Sequence, residues 1–375
     1  MFEDMLEDRK QQGILRSIHD RSSAMGRIIR VEGRDLLNFA SNDYLGLASN
    51  ERLKQAATKA IMLFGTGGGA SRLLSGGTRL HGELEQRLAS FKGAPSAIVF
   101  NSGYAANTGA LAALAGVGDA IFSDELNHAS LIDGCRLSRA AKYIYRHADL
   151  GHLENFLLSS TASRKIVATD TVFSMDGDIA PIDELAELCE KYGAILYIDD
   201  AHGTGVLGRG RGALAHFGLA HQPFIIQMGT FSKALGSSGA FIASDKGTAD
   251  WLVNSARSLI YSTALPPASV AASAAALDIV EHDTTLNERL WANRDRLFNG
   301  LEGLGLNTGQ SLTPIIPVLA GSVSEAAGLS ARLRQNGIYA PAILPPTVRE
   351  PRLRLTVTAS HTAEDIDSLL DALKG

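Results

Sequence analysis

Cysteine is nearly absent from this chain: 375 residues contain only Cys135 and Cys189. Two thiols so far apart offer neither a disulfide framework nor the ligand spacing of a zinc site, so both are expected as buried thiols in a reducing compartment. Positive charge is never concentrated. Lys and Arg number 35 against 40 Asp and Glu, a net charge of -5, and no basic run could neutralise a track of phosphates. That excludes nucleic acid as a partner. Long apolar runs are also missing, since the least polar stretch, 265–280, is too short to span a bilayer and is broken by Pro266, Pro267 and Asp278. The first twenty residues hold Glu3, Asp4, Glu7, Asp8, Arg9, Lys10 and Arg16, which leaves no apolar signal-peptide core. A soluble, cytoplasmic protein is expected, without repeats or low-complexity linkers.

What is present suits a large globular protein. With 45% hydrophobic and 20% charged residues, the chain can bury a substantial core, and its length predicts two or more lobes. Met5, Leu6, Ile14, Leu15 and Ile18 among charges predict an amphipathic helix, followed by short strands near 27–31 and 36–39. From about residue 50 to 243, helical patterns alternate with compact apolar runs at 97–100, 120–122, 142–145, 165–169, 195–198, 224–228 and 239–243. Runs that are apolar throughout are expected of strands covered by helices on both faces, so the fold class is α/β with a mainly parallel seven-stranded sheet. Beyond Pro267, helical patterns at 268–280, 287–301, 323–335 and 363–373 enclose strand-like segments at 315–319 and 353–357. These predict a smaller α+β domain. The expected boundaries are 1–46 for an N-terminal arm packing with the small domain, 47–265 for the large domain and 266–375 for the small one.

Ligands of open α/β sheets bind at the carboxyl ends of the strands, and polar clusters stand at those places here. Asn101-Ser102-Gly103-Tyr104 follows the first predicted sheet strand and opens a helix, an arrangement that suits an anion or simply a helix cap. Asp199-Asp200-Ala201-His202 follows 195–198; a metal site there would need more ligands nearby, so none is expected. Lys233 lies in Gly229-Thr230-Phe231-Ser232-Lys233-Ala234-Leu235-Gly236, between a strand and a glycine. It is either a solvated charge or an amine readied by partial burial to attack an aldehyde. The glycine-rich Gly65-Thr66-Gly67-Gly68-Gly69 has no lysine at nucleotide-loop spacing and no Gly-x-Gly-x-x-Gly turn, so it is read as tight turns.

The run from Thr230 to Gly236 closely resembles the cofactor-lysine motif of the α-oxoamine synthases, a branch of the fold-type I aminotransferase superfamily. Other motifs of that family follow in matching order: 41–47, Ser102-Gly103-Tyr104-Ala105-Ala106-Asn107, Asn127-His128-Ala129-Ser130, 173–178, 199–205 and Arg352-Leu353-Arg354-Leu355. The resemblance covers nearly the whole chain and implies pyridoxal 5'-phosphate bound by the large domain, held as a Schiff base on Lys233. It assigns Asp199 to the pyridinium nitrogen, His202 to the phenolate oxygen and His128 to the ring face. Gly103, Tyr104 and Thr230 are implied for the phosphate, Ser174 near the ring, and Ser262 for the phosphate of a partner subunit, hence a homodimer with shared active sites. Arg354 is implied for the amino-acid carboxylate, Asn42 for the same group across the dimer interface, and Arg21, Ser71 and Thr347 for substrate.

The reaction implied is a decarboxylative condensation of an amino acid with an acyl thioester, Lys233 moving the α-proton. Residues 345–348, 352–356 and the small Ser71 resemble the biotin-pathway branch, which joins L-alanine to a pimeloyl thioester on coenzyme A or acyl carrier protein. Leu344 stands where many of that branch have arginine, and Asp170 replaces a common glutamate. Glycine- or serine-using members of the family are the alternatives, and a noncatalytic binding protein of the same fold is the alternative of a different class.

Overall fold

The computed structural model describes residues 2–374, which fold as two units. One comprises residues 2–49, Ser174–Asp178 and residues 288–374; the other comprises Asn50–Phe173 and Ile179–Asn287. In chain order, β1 (Ile28–Val31) and β2 (Arg34–Asn38) form a hairpin. Then come β3 (Ser96–Phe100), β4 (Ala120–Asp124), β5 (Ala141–Tyr145), β6 (Lys165–Asp170), β7 (Ile195–Asp199), β8 (Ile225–Thr230) and β9 (Ala240–Ser244). β10 (Ile315–Leu319), β11 (Ile338–Tyr339), β12 (Ala342–Ile343) and β13 (Arg352–Thr356) follow.

All seven apolar runs become one sheet, ordered β3-β9-β8-β7-β6-β4-β5. β9 is antiparallel to both neighbours and every other pairing is parallel. Every residue of β4, β8 and β9 is buried, which explains why these strands carry no polar alternation. The helix Gly103–Leu114 lays Ala106, Ala110, Leu111 and Leu114 into a core that also holds Ile121 and Ile226. Strand order reverses between β4 and β6: β5 lies on one side of this pair, while β7 and β8 lie on the other. A crevice forms at the carboxyl ends of strands where such a reversal occurs.

Two expectations fail. β5, at one end of the sheet, is not covered on both faces: Ala141–Ile144 are exposed and only Tyr145 is buried, whereas β3 at the other end is almost wholly buried. The N-terminal helix is Phe2–Gln11 and buries no residue. Gly13 adopts a left-handed φ of 69° just past its end, so Ile14, Leu15 and Ile18 fall outside the helix, Ile18 being 91% exposed. Among the described residues no helix is long and apolar enough to cross a membrane, and both cysteines are buried and free.

The unit containing the chain termini carries two three-stranded sheets, β1-β2-β11 and β10-β13-β12. Its core gathers Phe39, Leu297, Leu301, Ile316, Leu355 and Leu369. Buried His361 stacks on Phe39 with centroids 4.3 Å apart, and its Nδ1 accepts the Thr358 amide at 3.0 Å. Burial pushes this imidazole down to about 4 from its ordinary 6.5. The fold therefore favours the neutral ring: the stabilisation is complete above pH 6.5 and is lost as pH falls through 6.5 toward 4, amounting to roughly 3 kcal/mol. His361→Asn should flatten the acid limb of a urea-unfolding curve taken across that window. An acid limb as steep as in the parent would assign the loss to other groups.

Candidate active site

The carboxyl ends of the parallel strands bring the titratable groups together. Asp199 ends β7 and is buried. Its Oδ2 accepts a hydrogen bond from Asn107 Nδ2 at 2.7 Å, and its Oδ1 accepts one from the Ala201 amide at 2.9 Å. Asp170 ends β6 in register with it. Burial and the Asp199 charge push the Asp170 pKa well up, so Asp170 favours its protonated form.

Lys233 follows β8 in a turn closed by Phe231 N to Gly239 O at 2.9 Å and Ser237 N to Phe231 O at 2.8 Å. It is half-buried, and its charge reaches both His128 and Asp170. His128, Asp199 and Lys233 thus converge from the ends of three strands. His128 caps the helix Ala129–Leu137: its Nδ1 lies 2.7 Å from Ser130 Oγ and accepts the Ser130 amide at 3.2 Å. Its own amide donates to Asp170 Oδ2 at 2.6 Å. Desolvation lowers the His128 pKa and Lys233 lowers it further, against an opposing pull from Asp199.

His202 is buried on the loop after β7, which Asp200 organises. Asp200 Oδ2 accepts from Lys92 Nζ and Thr204 Oγ1, each at 2.8 Å, and Oδ1 accepts from Thr171 Oγ1 at 2.8 Å and the Ala213 amide at 3.2 Å. The Lys92 and Asp200 side chains are both 0% exposed. Gly212, at φ 100°, admits this pair, since a Cβ there would collide with both charged groups. Among the described residues no group of three or more His, Cys, Asp or Glu could hold a metal ion.

An anion cradle lies on the helix Gly103–Leu114. Ser102 Oγ accepts the Ala105 amide at 3.1 Å and Ser102 O the Ala106 amide at 2.9 Å, leaving the Gly103 and Tyr104 amides leading the helix. The Tyr104 phenol bonds instead to Asp133, so this residue has only its backbone to offer. Thr230 Oγ1 donates to Gly239 O at 2.9 Å and lies 2.7 Å from Ser232 Oγ. Ser71 forms a bridge with Thr263, beside Ser262, and the Ala264 amide donates to Ala70 O at 2.9 Å. The glycine-rich loop and the Ser262 segment are therefore tied together.

The remaining candidates belong to the other unit. Arg354 on β13 is buried, with Nε donating to Ser174 O and Nη2 to Asn42 Oδ1 at 3.1 Å. Arg21 is exposed, its guanidinium turned back on Ser23 O. Thr347 is also exposed and its Oγ1 accepts from Arg16 Nη2 at 2.6 Å.

Residues 34–373 match the model of the aminotransferase class I and II family. The 8-amino-7-oxononanoate synthase of Geotalea daltonii is 48% identical over 99% of this chain and 96% of its own. The chain belongs to the 8-amino-7-oxononanoate synthase family. A relative in Thermodesulfovibrio yellowstonii, which bears the same name provisionally, is 54% identical over 100% of this chain and 96% of its own. Among solved structures, the serine palmitoyltransferase of S. paucimobilis with bound pyridoxal phosphate and myriocin superposes with a TM-score of 0.94. It is 29% identical, over 100% of this chain and 96% of that one. As a member of this family the chain has the fold-type I aminotransferase fold and is a pyridoxal-phosphate-dependent, acyl-transferring enzyme.

The donor set fits that cofactor. A buried carboxylate suits a protonated ring nitrogen, two amides at a helix start suit a phosphate, and a half-buried lysine suits an aldehyde. Asn107, Ser130 and Tyr197 take part in this site, although none of them was assigned a role from sequence. Asn107 and Ser130 close two of the family motifs, and that was the available signal.

Proposed function

We propose that this chain joins L-alanine to a pimeloyl thioester of coenzyme A or acyl carrier protein, giving 8-amino-7-oxononanoate for biotin biosynthesis, CO2 and the free thiol. The observation that carries this reading is 48% and 54% identity over nearly the full chain to relatives named for that product. Bound pyridoxal phosphate supplies an aldehyde that takes up amines and a ring that stores the electrons released at the amino acid's α-carbon. Lys233 Nζ would hold the cofactor's aldehyde and, when free, would take the amino acid's α-proton and return it. Asp199 would keep the ring nitrogen protonated. His202 donates to the phenolate oxygen and His128 lies over the ring face. Gly103 and Tyr104 would give amides to the phosphate, and Thr230 its hydroxyl once that turns from Gly239 O.

In this reading Arg354 clamps the amino-acid carboxylate by a two-pronged ion pair, aided by Asn42 of the same chain, which its Nη2 already contacts, rather than from across a dimer interface. Ser174 stands near the ring, Ser71 leaves room for the alanine methyl, and Arg21 and Thr347 meet the substrate. The enzyme works as a cytoplasmic homodimer, Ser262 reaching the phosphate held by the partner subunit. Alanine, glycine and serine, each offered with pimeloyl-coenzyme A and with pimeloyl-acyl carrier protein, test the assignment. Alanine should turn over with at least one carrier. Turnover confined to glycine or to serine would reject the alanine reading.

A further inference from the structure

We infer that Asn107 and Ser130 are positioning residues that join Asp199 and His128 in one hydrogen-bond relay, and that this relay holds the His128 proton on Nε2. The inference deepens the proposed function, resting on its roles for Asp199 and His128. Asn107, Ser130 and Tyr197 are buried almost completely. Asn107 Nδ2 donates to Asp199 Oδ2 at 2.7 Å and to Ser130 Oγ at 2.8 Å, while its Oδ1 accepts from Tyr197 Oη at 2.9 Å. The amide cannot be reversed: that would set its oxygen against a carboxylate oxygen, acceptor against acceptor.

Ser130 Oγ accepts from Asn107, which leaves its hydrogen and a second lone pair for His128 Nδ1, 2.7 Å away, so the direction of this bond is decided at Nδ1. The Ser130 amide donates to the same nitrogen. Nδ1 therefore carries a lone pair, the hydroxyl donates to it as well, and the proton of the neutral ring lies on Nε2. The helix setting agrees, because Nδ1 caps the positive end of Ala129–Leu137, where an imidazolium would be repelled. Lys233 acts on the ring in the same sense, while Asp199 favours the charged form and the Asp170 carboxyl accepts only the His128 backbone amide. One amide thus holds the Asp199 carboxylate directly and the His128 imidazole through Ser130.

The test uses the full-length protein loaded with pyridoxal phosphate. Long-range nitrogen-15 spectra of the histidines, with His128 assigned through His128→Gln, should show Nδ1 unprotonated and Nε2 protonated. Ser130→Ala should mix the two tautomers, and Ser130→Thr should restore the parent pattern. Asn107→Leu should shift the pH midpoint of the bound-cofactor absorbance band, through Asp199, and lower kcat by roughly 10- to 100-fold, the scale of one hydrogen bond to a charged group. Ser130→Ala keeps the question answerable if Asn107→Leu fails to fold. A proton on Nδ1, or an unchanged tautomer in Ser130→Ala beside a normal cofactor band, overturns the relay alone. A wild-type protein that develops no band with pyridoxal phosphate overturns the relay together with the functional reading beneath it.

Discussion

Lys233→Ala is expected to remove the absorbance band of lysine-bound cofactor and to lower kcat by at least about 10⁴-fold, since it deletes both the aldehyde-binding amine and the proton carrier. The fold should survive. Lys233 is half-buried in a turn held by backbone hydrogen bonds between residues 231 and 239, and these do not need its side chain. Far-ultraviolet circular dichroism and the urea midpoint should therefore match the parent while activity vanishes. Retention of the band in this variant would remove Lys233 from the chemistry.

Lys92→Met should do the opposite. Lys92 Nζ donates to Asp200 Oδ2, to Thr204 Oγ1 at 3.3 Å and to Arg211 O at 2.9 Å, in a place without solvent. Methionine is close in shape but leaves the Asp200 carboxylate buried without its counter-ion, a loss of about 3–5 kcal/mol. Urea unfolding of the unit that carries the large sheet should register a loss of that size. Adding Asp200→Asn should recover part of it, because the stranded charge goes with the carboxylate. A single-variant loss below about 1 kcal/mol would mean that the pair is far better solvated than the buried geometry implies.

The contrast between these lysines marks how far sequence could be read. Lys233 stood out because a strand-like run precedes it and hydroxyl residues and a glycine surround it. Lys92 sits in Phe91-Lys92-Gly93, where a basic residue in the last turn of a helix is ordinarily a solvated charge that complements the helix dipole. Its partner is 108 residues away and no local pattern announces it. The seven sheet strands were legible for a physical reason, since strands covered on both faces must be apolar throughout. β5 was overread on the same rule, as the covering of a strand is a property of the assembled sheet. Asp199 and His202 were legible as polar residues ending an apolar run. Asn107 was not, because a polar residue inside a helix has no local sign that its partners are buried across the sheet. Ile14, Leu15 and Ile18 carried helical spacing, but spacing does not reveal that Gly13 has ended the helix.

The helix Gly103–Leu114 has a consequence as a measuring device. Its leading amides, of Gly103 and Tyr104, are the ones proposed to take the phosphate, and four residues on from Gly103, Asn107 holds the carboxylate at the end of β7. At 1.5 Å per residue, about 6 Å of rigid rod separates the two tasks. The distance from phosphate grip to ring-nitrogen partner is thus fixed like the jaws of a calliper, independently of how the surrounding loops adjust. Adding or removing a single residue between 103 and 107 would swing Asn107 about 100° around the rod, so this short stretch should tolerate changes of side chain far better than changes of length.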